Sequence, residues 1–94
     1  MGALTTEESA KVIEASVRKQ LKKPTGELTK ADYEKVTDLD LAGNQLTNVK
    51  GLKKLTQLRD LALDSNPDLT KAQIAELQKA LPNCGMSANW SKLK

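Results

Sequence analysis

The run LDLAGNQL, Leu39 to Leu46, returns as LALDSNPDL, Leu61 to Leu69, with Leu61, Leu63 and Asn66 in the places of Leu39, Leu41 and Asn44. The spacing L-x-x-L-x-L-x-x-N is met by Val36, Leu39, Leu41 and Asn44 and again by Leu58, Leu61, Leu63 and Asn66. A weaker third copy is Leu81, Cys84, Met86 and Asn89. Successive Asn residues are 22 and 23 positions apart, the length of one supersecondary unit rather than of a helix turn or a strand pleat. A chain with this period must stack similar units, each with one short strand.

The composition suits such stacking. Apolar residues are nearly all Leu, Ala, Val and Ile, with no Phe, one Tyr and one Trp, so the core is built from layered aliphatics. A chain of 94 residues is one small domain's worth and hides only roughly 60 to 65% of the surface its unfolded form exposes.

The repeated Asn has a physical reason. A chain that leaves a short strand by turning inward strands backbone N–H and C=O groups away from both water and the sheet ladder. An Asn side chain, with two donors and an acceptor, satisfies those groups in its own turn and in the adjacent one. Asn44, Asn66 and Asn89 are therefore expected to form a structural ladder, and removing either of the first two to cost roughly 1 to 3 kcal/mol.

Upstream, Thr5 and Thr6 offer caps to Glu8 or Ser9, and Ile13, Val17 and Leu21 make an apolar stripe with Val12 beside it. The pattern predicts an amphipathic helix ending near Lys23, with Arg18, Lys19, Lys22 and Lys23 complementing its carbonyl end. Pro24-Thr25-Gly26 reads as a turn. Thr29, with Asp32 three residues on, then opens a short helix to Lys35. Between the first two strands apolar residues fall three apart, at Leu46, Val49, Leu52, Leu55 and Leu58, a period suited to 3₁₀ turns. In the next unit Thr70 and Gln73 form a capping box before Ile74, Leu77 and Leu81, which predicts an α-helix closed by Pro82.

These residues resemble a known family. VTDLDLAGNQLTNVKGLKKLTQLRDLALDSNPDLT is similar to bacterial leucine-rich repeat proteins of the 22-residue, internalin-like kind. IEASVRKQLKKPTGELTKADYEKV looks like their helical N-terminal cap, and LTKAQIAELQKALPNC like their helical closing units. The resemblance implies an α/β fold: a short solenoid with a small parallel sheet, in one domain over 1–94. Residues 1–35 would be the cap, 36–80 two repeats, and 81–94 a degenerate third repeat and C-terminal cap. Family members usually carry more repeats. The segment KPTGELTKADYE lacks the carboxylate ladder that some such caps use for Ca²⁺, so no metal is expected.

Function in such a fold would lie on the outward positions of the strands. Here these are Asp38, Asp40 and Ala42, then Asp60, Ala62 and Asp64 with Arg59 at the edge, and in the third copy Asn83, Gly85 and Ala88. Four carboxylates on a chain of net charge +3 reverse the local sign and would attract a basic segment of a partner. A solvated acidic face that discourages edge pairing explains the same residues. Asp pairs serve glycoside hydrolysis, but there is no His, no nucleophile motif, and no expected room for a cleft of roughly 300 Å³, so no enzyme and no cofactor are expected. Trp90 either folds over the open end as a cap or stands out as an anchor. Cys84 reads as a small buried apolar residue.

The charge is spread in both signs, which argues against nucleic acid, and no apolar run of membrane-spanning length occurs. MGALTT fits a loose myristoylation pattern and Asn89-Trp90-Ser91 a glycosylation sequon, but the N-terminus has no cationic start followed by an apolar stretch. The expectation is a cytoplasmic protein-binding module, monomeric. The alternatives are a structural remnant or cap unit of a larger repeat protein, and a homodimer through the open edge strand.

Overall fold

The computed structural model describes residues 4–88 and Leu93. Among the described residues, three α-helices, one 3₁₀ helix and three short strands alternate along the chain. Helix α1 (Thr6–Leu21) is started by a capping box in which the Thr5 hydroxyl accepts the Glu8 N–H and the Glu8 carboxylate accepts the Thr5 N–H. It ends at Lys22, whose left-handed backbone (φ 57°) lets the Lys23 N–H fold back onto the Arg18 carbonyl at 3.0 Å. The turn after it is held by Arg18, which donates to the carbonyls of Lys23 and Gly26, and by Lys23, which pairs with Asp32 at 2.8 Å. Two cations of the basic cluster are thus committed to this turn. That ion pair and the Thr29 N–H hold the Asp32 carboxyl pKa down to about 2.

Helix α2 (Lys30–Tyr33) is one turn, shorter than the sequence suggests, because the N–H groups of Lys35 and Val36 close onto Asp32 and Tyr33 as the chain straightens into the sheet. Strands β1 (Asp38–Asp40), β2 (Asp60–Ala62) and β3 (Gly85–Ser87) form a parallel sheet in the order β1-β2-β3. The crossover from β1 to β2 carries the 3₁₀ helix Lys50–Lys54, and that from β2 to β3 carries α3 (Lys71–Ala80). The two crossovers differ as the three-residue and helical periods predict. Thr70 and Gln73 make the expected reciprocal cap.

Asp38 pairs with Asp60, Leu39 with Leu61 and Asp40 with Ala62, a register of 22 residues. The β2–β3 register departs from the sequence alignment: Leu61 pairs with Met86, not with Cys84. Pro82 ends α3, and the turn closed by the Cys84 N–H on the Leu81 carbonyl uses two more residues than the first crossover does before its strand.

Leu39, Leu41, Leu61 and Leu63 point inward and meet Val36, Leu46, Val49, Leu52, Leu55, Leu58, Leu69, Ile74 and Leu77 in one aliphatic core. Helix α1 adds Ile13 and Val17 and packs against β1 and the 3₁₀ helix, while α3 packs against the 3₁₀ helix. Cys84 is buried as expected, and burial together with the nearby Asp60 charge pushes its thiol up.

Among the described residues that are buried, only Ser9 and Asn66 are polar. Asn66 Oδ1 accepts the N–H groups of Asn44 and Leu46, and its Nδ2 donates to the carbonyls of Leu63 and Asp64 in its own turn and of Leu41 in the turn before. Asn44 is half-buried, and its amide donates to Ala42 within its own turn. Among the described residues the ladder therefore has one full inter-turn rung, made by Asn66, which reaches toward the N-terminus; the turn of Asn44 has no equivalent turn before it. Asn89 lies outside the described residues. In place of a turn behind the first, α1 docks by a different device. The buried Ser9 hydroxyl accepts the Thr47 N–H at 3.0 Å, Thr47 Oγ1 donates to the Leu4 carbonyl, and the Leu4 N–H donates to the Gln45 carbonyl. Gln73 at the start of α3 donates to the Thr47 carbonyl, so three elements meet at one residue.

Candidate functional site

Alternation along each strand turns Asp38 and Asp40 outward from β1, and Asp60 and Ala62 outward from β2. On β3 the outward residues are Gly85, as the sequence assignment has it, and Ser87, which corrects the assignment of Asn83 and Ala88. The shifted register moves Asn83 into the preceding turn and leaves Ala88 half-buried against the core. Two rows result, Asp38–Asp60–Gly85 and Asp40–Ala62–Ser87.

These rows floor an open depression of about 550 Å³, walled on one side by Gln20 from the end of α1. Nothing in the residue pattern points to this space. It arises because Ala62 on the middle strand and Gly85 on the edge strand β3 are small and α1 packs beside β1. The depression is broad and open rather than an enclosed cleft, with carboxylates at its rim and small apolar surface at its floor.

Each carboxylate is placed locally. Asp38 accepts the Thr37 hydroxyl at 3.0 Å, and Asp40 accepts the Ala42 N–H at 3.1 Å in a short turn that fixes its direction. Asp64 is half-buried just past the strand and accepts the Ser87 hydroxyl at 3.1 Å, which ties β3 to the loop after β2. Asp60 stands between Asp38 and the bare backbone of Gly85. A hydrogen bond with Asp38 raises its carboxyl above the ordinary range, local desolvation and the Asp38 charge add to this, and Arg59 works against it.

Arg59 is exposed and borders a separate depression with Gln57 and Asn83, so the structure places it at the flank of the acidic face. Trp90 lies outside the described residues. Sequence reasoning misses Gln20 and Ser87. Gln20 carries no signal, whereas Ser87 is readable: it stands two residues before Asn89, in the outward place of Ala42 and Asp64, and the two-residue shift keeps that side while pairing it with Ala62.

No ion pair joins Asp38, Asp40, Asp60 or Asp64 to a described Lys or Arg; the pairs formed are Arg18 with Glu14, Lys23 with Asp32, and Lys53 with Glu76. Chemically the face can accept cations and hydrogen-bond donors along its rim and apolar stems on its floor. No helix among the described residues is long and apolar enough to cross a membrane. Comparison with family models, with curated proteins and with solved structures returned no match.

Proposed function

We propose that this chain is a non-enzymatic protein-interaction module of the leucine-rich repeat type, a short solenoid whose sheet face takes a basic segment of a partner protein. The 22-residue register and the Asn66 bonds across two turns support the architectural part of this reading. The observation that carries the functional part is the set of outward carboxylates, Asp38, Asp40 and Asp60, around the Ala62 floor with no described cation paired to them. A long Lys or Arg side chain suits that arrangement, laying its aliphatic stem on the floor and its head at the rim. On a chain of net charge +3 it is the local carboxylates that disfavour acidic segments at this face and favour basic ones.

The test is an amide-shift titration with a short oligolysine peptide, with oligoglutamate as the control. Shifts at residues 38–40, 60–62 and 85–87, weakened by salt and reduced in a variant carrying Asp38→Asn and Asp60→Asn, are the expected result. Shifts confined to other surfaces, or unchanged binding by that variant, overturn the reading.

A further inference from the structure

The row Asp38–Asp60–Gly85 carries a side chain on the first two strands and none on the third. Glycine suits a strand poorly, since it packs nothing and gives up the most conformational freedom on folding. Where a strand does contain one, it often marks a bulge, a tight bend, or a place where another backbone or a ligand comes close.

The fold supplies none of the first three reasons at Gly85. Its strand pairs with β2 in unbroken register, and its φ lies outside the left-handed region that Gly43 occupies. A Cβ at this position would meet the Arg59 carbonyl at 3.5 Å and Asp60 Oδ1 at 4.0 Å, both ordinary contacts. That carbonyl is the ladder partner of Gly85 and accepts its N–H, so no separate segment among the described residues crowds the site. What the missing side chain changes is access. Asp38 stands against one flank of the Asp60 carboxyl through their hydrogen bond, and α1, which adds Gln20 to the wall, packs beside β1. Within the row, the other flank of Asp60 is open over the bare backbone of Gly85.

From this geometry we infer that Gly85 is the specificity-determining residue of the sheet face, the gap through which the stem of a basic side chain crosses β3 and brings its head to Asp60. The inference rests on the reading of this face as a site for basic segments, and it names the side of entry and the residue that permits it. A side chain at position 85 would fill the space beside Asp60 without removing a carboxylate. It would exclude the occupant sterically while the charge of the face stayed the same.

Oligolysine titrations of Gly85→Ala and Gly85→Val, followed by amide shifts and paired with thermal melts, test this. Gly85→Ala should melt at or above the temperature of the unmodified chain, because alanine narrows the unfolded ensemble and its Cβ has room. Gly85→Val should bind oligolysine roughly tenfold more weakly and Gly85→Ala by a smaller factor, the scale on which methyl-sized groups alter a fitted contact. Gly51→Ala, on the 3₁₀ helix and away from the lining of the depression, should bind as the unmodified chain does. Circular dichroism checks the fold of Gly85→Val, and Gly85→Ser replaces it if it unfolds, with weakened binding again expected. A lowered melting temperature in Gly85→Ala, or an equal loss of binding in Gly51→Ala, overturns the inference. If the position 85 variants bind undiminished while oligolysine still shifts the sheet amides, only the role of Gly85 falls. If oligolysine shifts no sheet amide in the unmodified chain, the site reading falls with it.

Discussion

The side chain of Asn66 accepts the backbone N–H of Asn44, 22 residues earlier, at 3.1 Å, while its amide donates to the Leu41 carbonyl of that same earlier turn. Asn44 makes no comparable reach, and its described side-chain bond goes to Ala42. Two residues in the same place of the sequence pattern thus carry unequal structural weight.

Replacing Asn66 by Ala should cost about 3 kcal/mol, since several buried backbone groups lose their partners together, whereas Asn44→Ala should cost under about 1 kcal/mol. Urea unfolding of the two variants measures the gap. Equal losses would mean that the inter-turn bonds do not hold the sheet.

Asp60 and Asp32 should answer pH in opposite senses. The folded carboxyl of Asp60 is raised, so the native state holds its proton longer and stability falls as pH rises through the window just above 3.8. Asp60→Asn should therefore raise the melting temperature at neutral pH and leave it unchanged below that window. The folded carboxyl of Asp32 is lowered from 3.8 to about 2, so its contribution is present above that range and is lost as pH falls through it. Asp32→Asn should lower the neutral melting temperature, with the difference closing toward pH about 2. Thermal unfolding across pH separates the two.

Gly43 and Gly51 should respond differently to an added methyl group. Gly43 has φ +69° and open space within 4 Å of the position a Cβ would take, so Gly43→Ala costs only backbone strain, about 1 to 2 kcal/mol. Gly51 lies in the 3₁₀ helix, and its Cβ would touch Ile13 Cγ2 at an ordinary 3.7 Å. Gly51→Ala should be neutral or stabilising by up to about 1 kcal/mol. A denaturant series on both variants decides it.

Ser9→Ala should cost about 1 to 3 kcal/mol by leaving the Thr47 N–H without its acceptor, and should speed hydrogen exchange at that amide. Ser16→Ala, on the same helix but half-buried with no such bond described, should stay within about 0.5 kcal/mol. Exchange at Thr47 left unchanged by Ser9→Ala would show that α1 is not held through this contact.

Much of this architecture is legible in the sequence because local chemistry and long-range pattern agree. The capping pairs Thr5 with Glu8, Thr29 with Asp32, and Thr70 with Gln73 all form, and the three-residue and helical periods become different crossovers. The outward carboxylates of β1 and β2 follow from the same alternation. The third strand is misaligned by pattern alone because Cys84 and Met86 are both apolar, and periodicity cannot show that Pro82 and Asn83 lengthen the turn. Ser9 carries a readable signal, four residues before Ile13 on the apolar stripe, but its partner Thr47 is 38 residues away and no local rule links them. The depression over Ala62 and Gly85 depends on how α1 stands beside the sheet, which no strand pattern contains.

The backward reach of Asn66 sets an order of events on the ribosome. The bend at Leu41 to Leu46 cannot be latched until residue 66 has left the exit tunnel, so a nascent chain shorter than that carries its first loop open, with the Asn44 and Leu46 amides free to exchange.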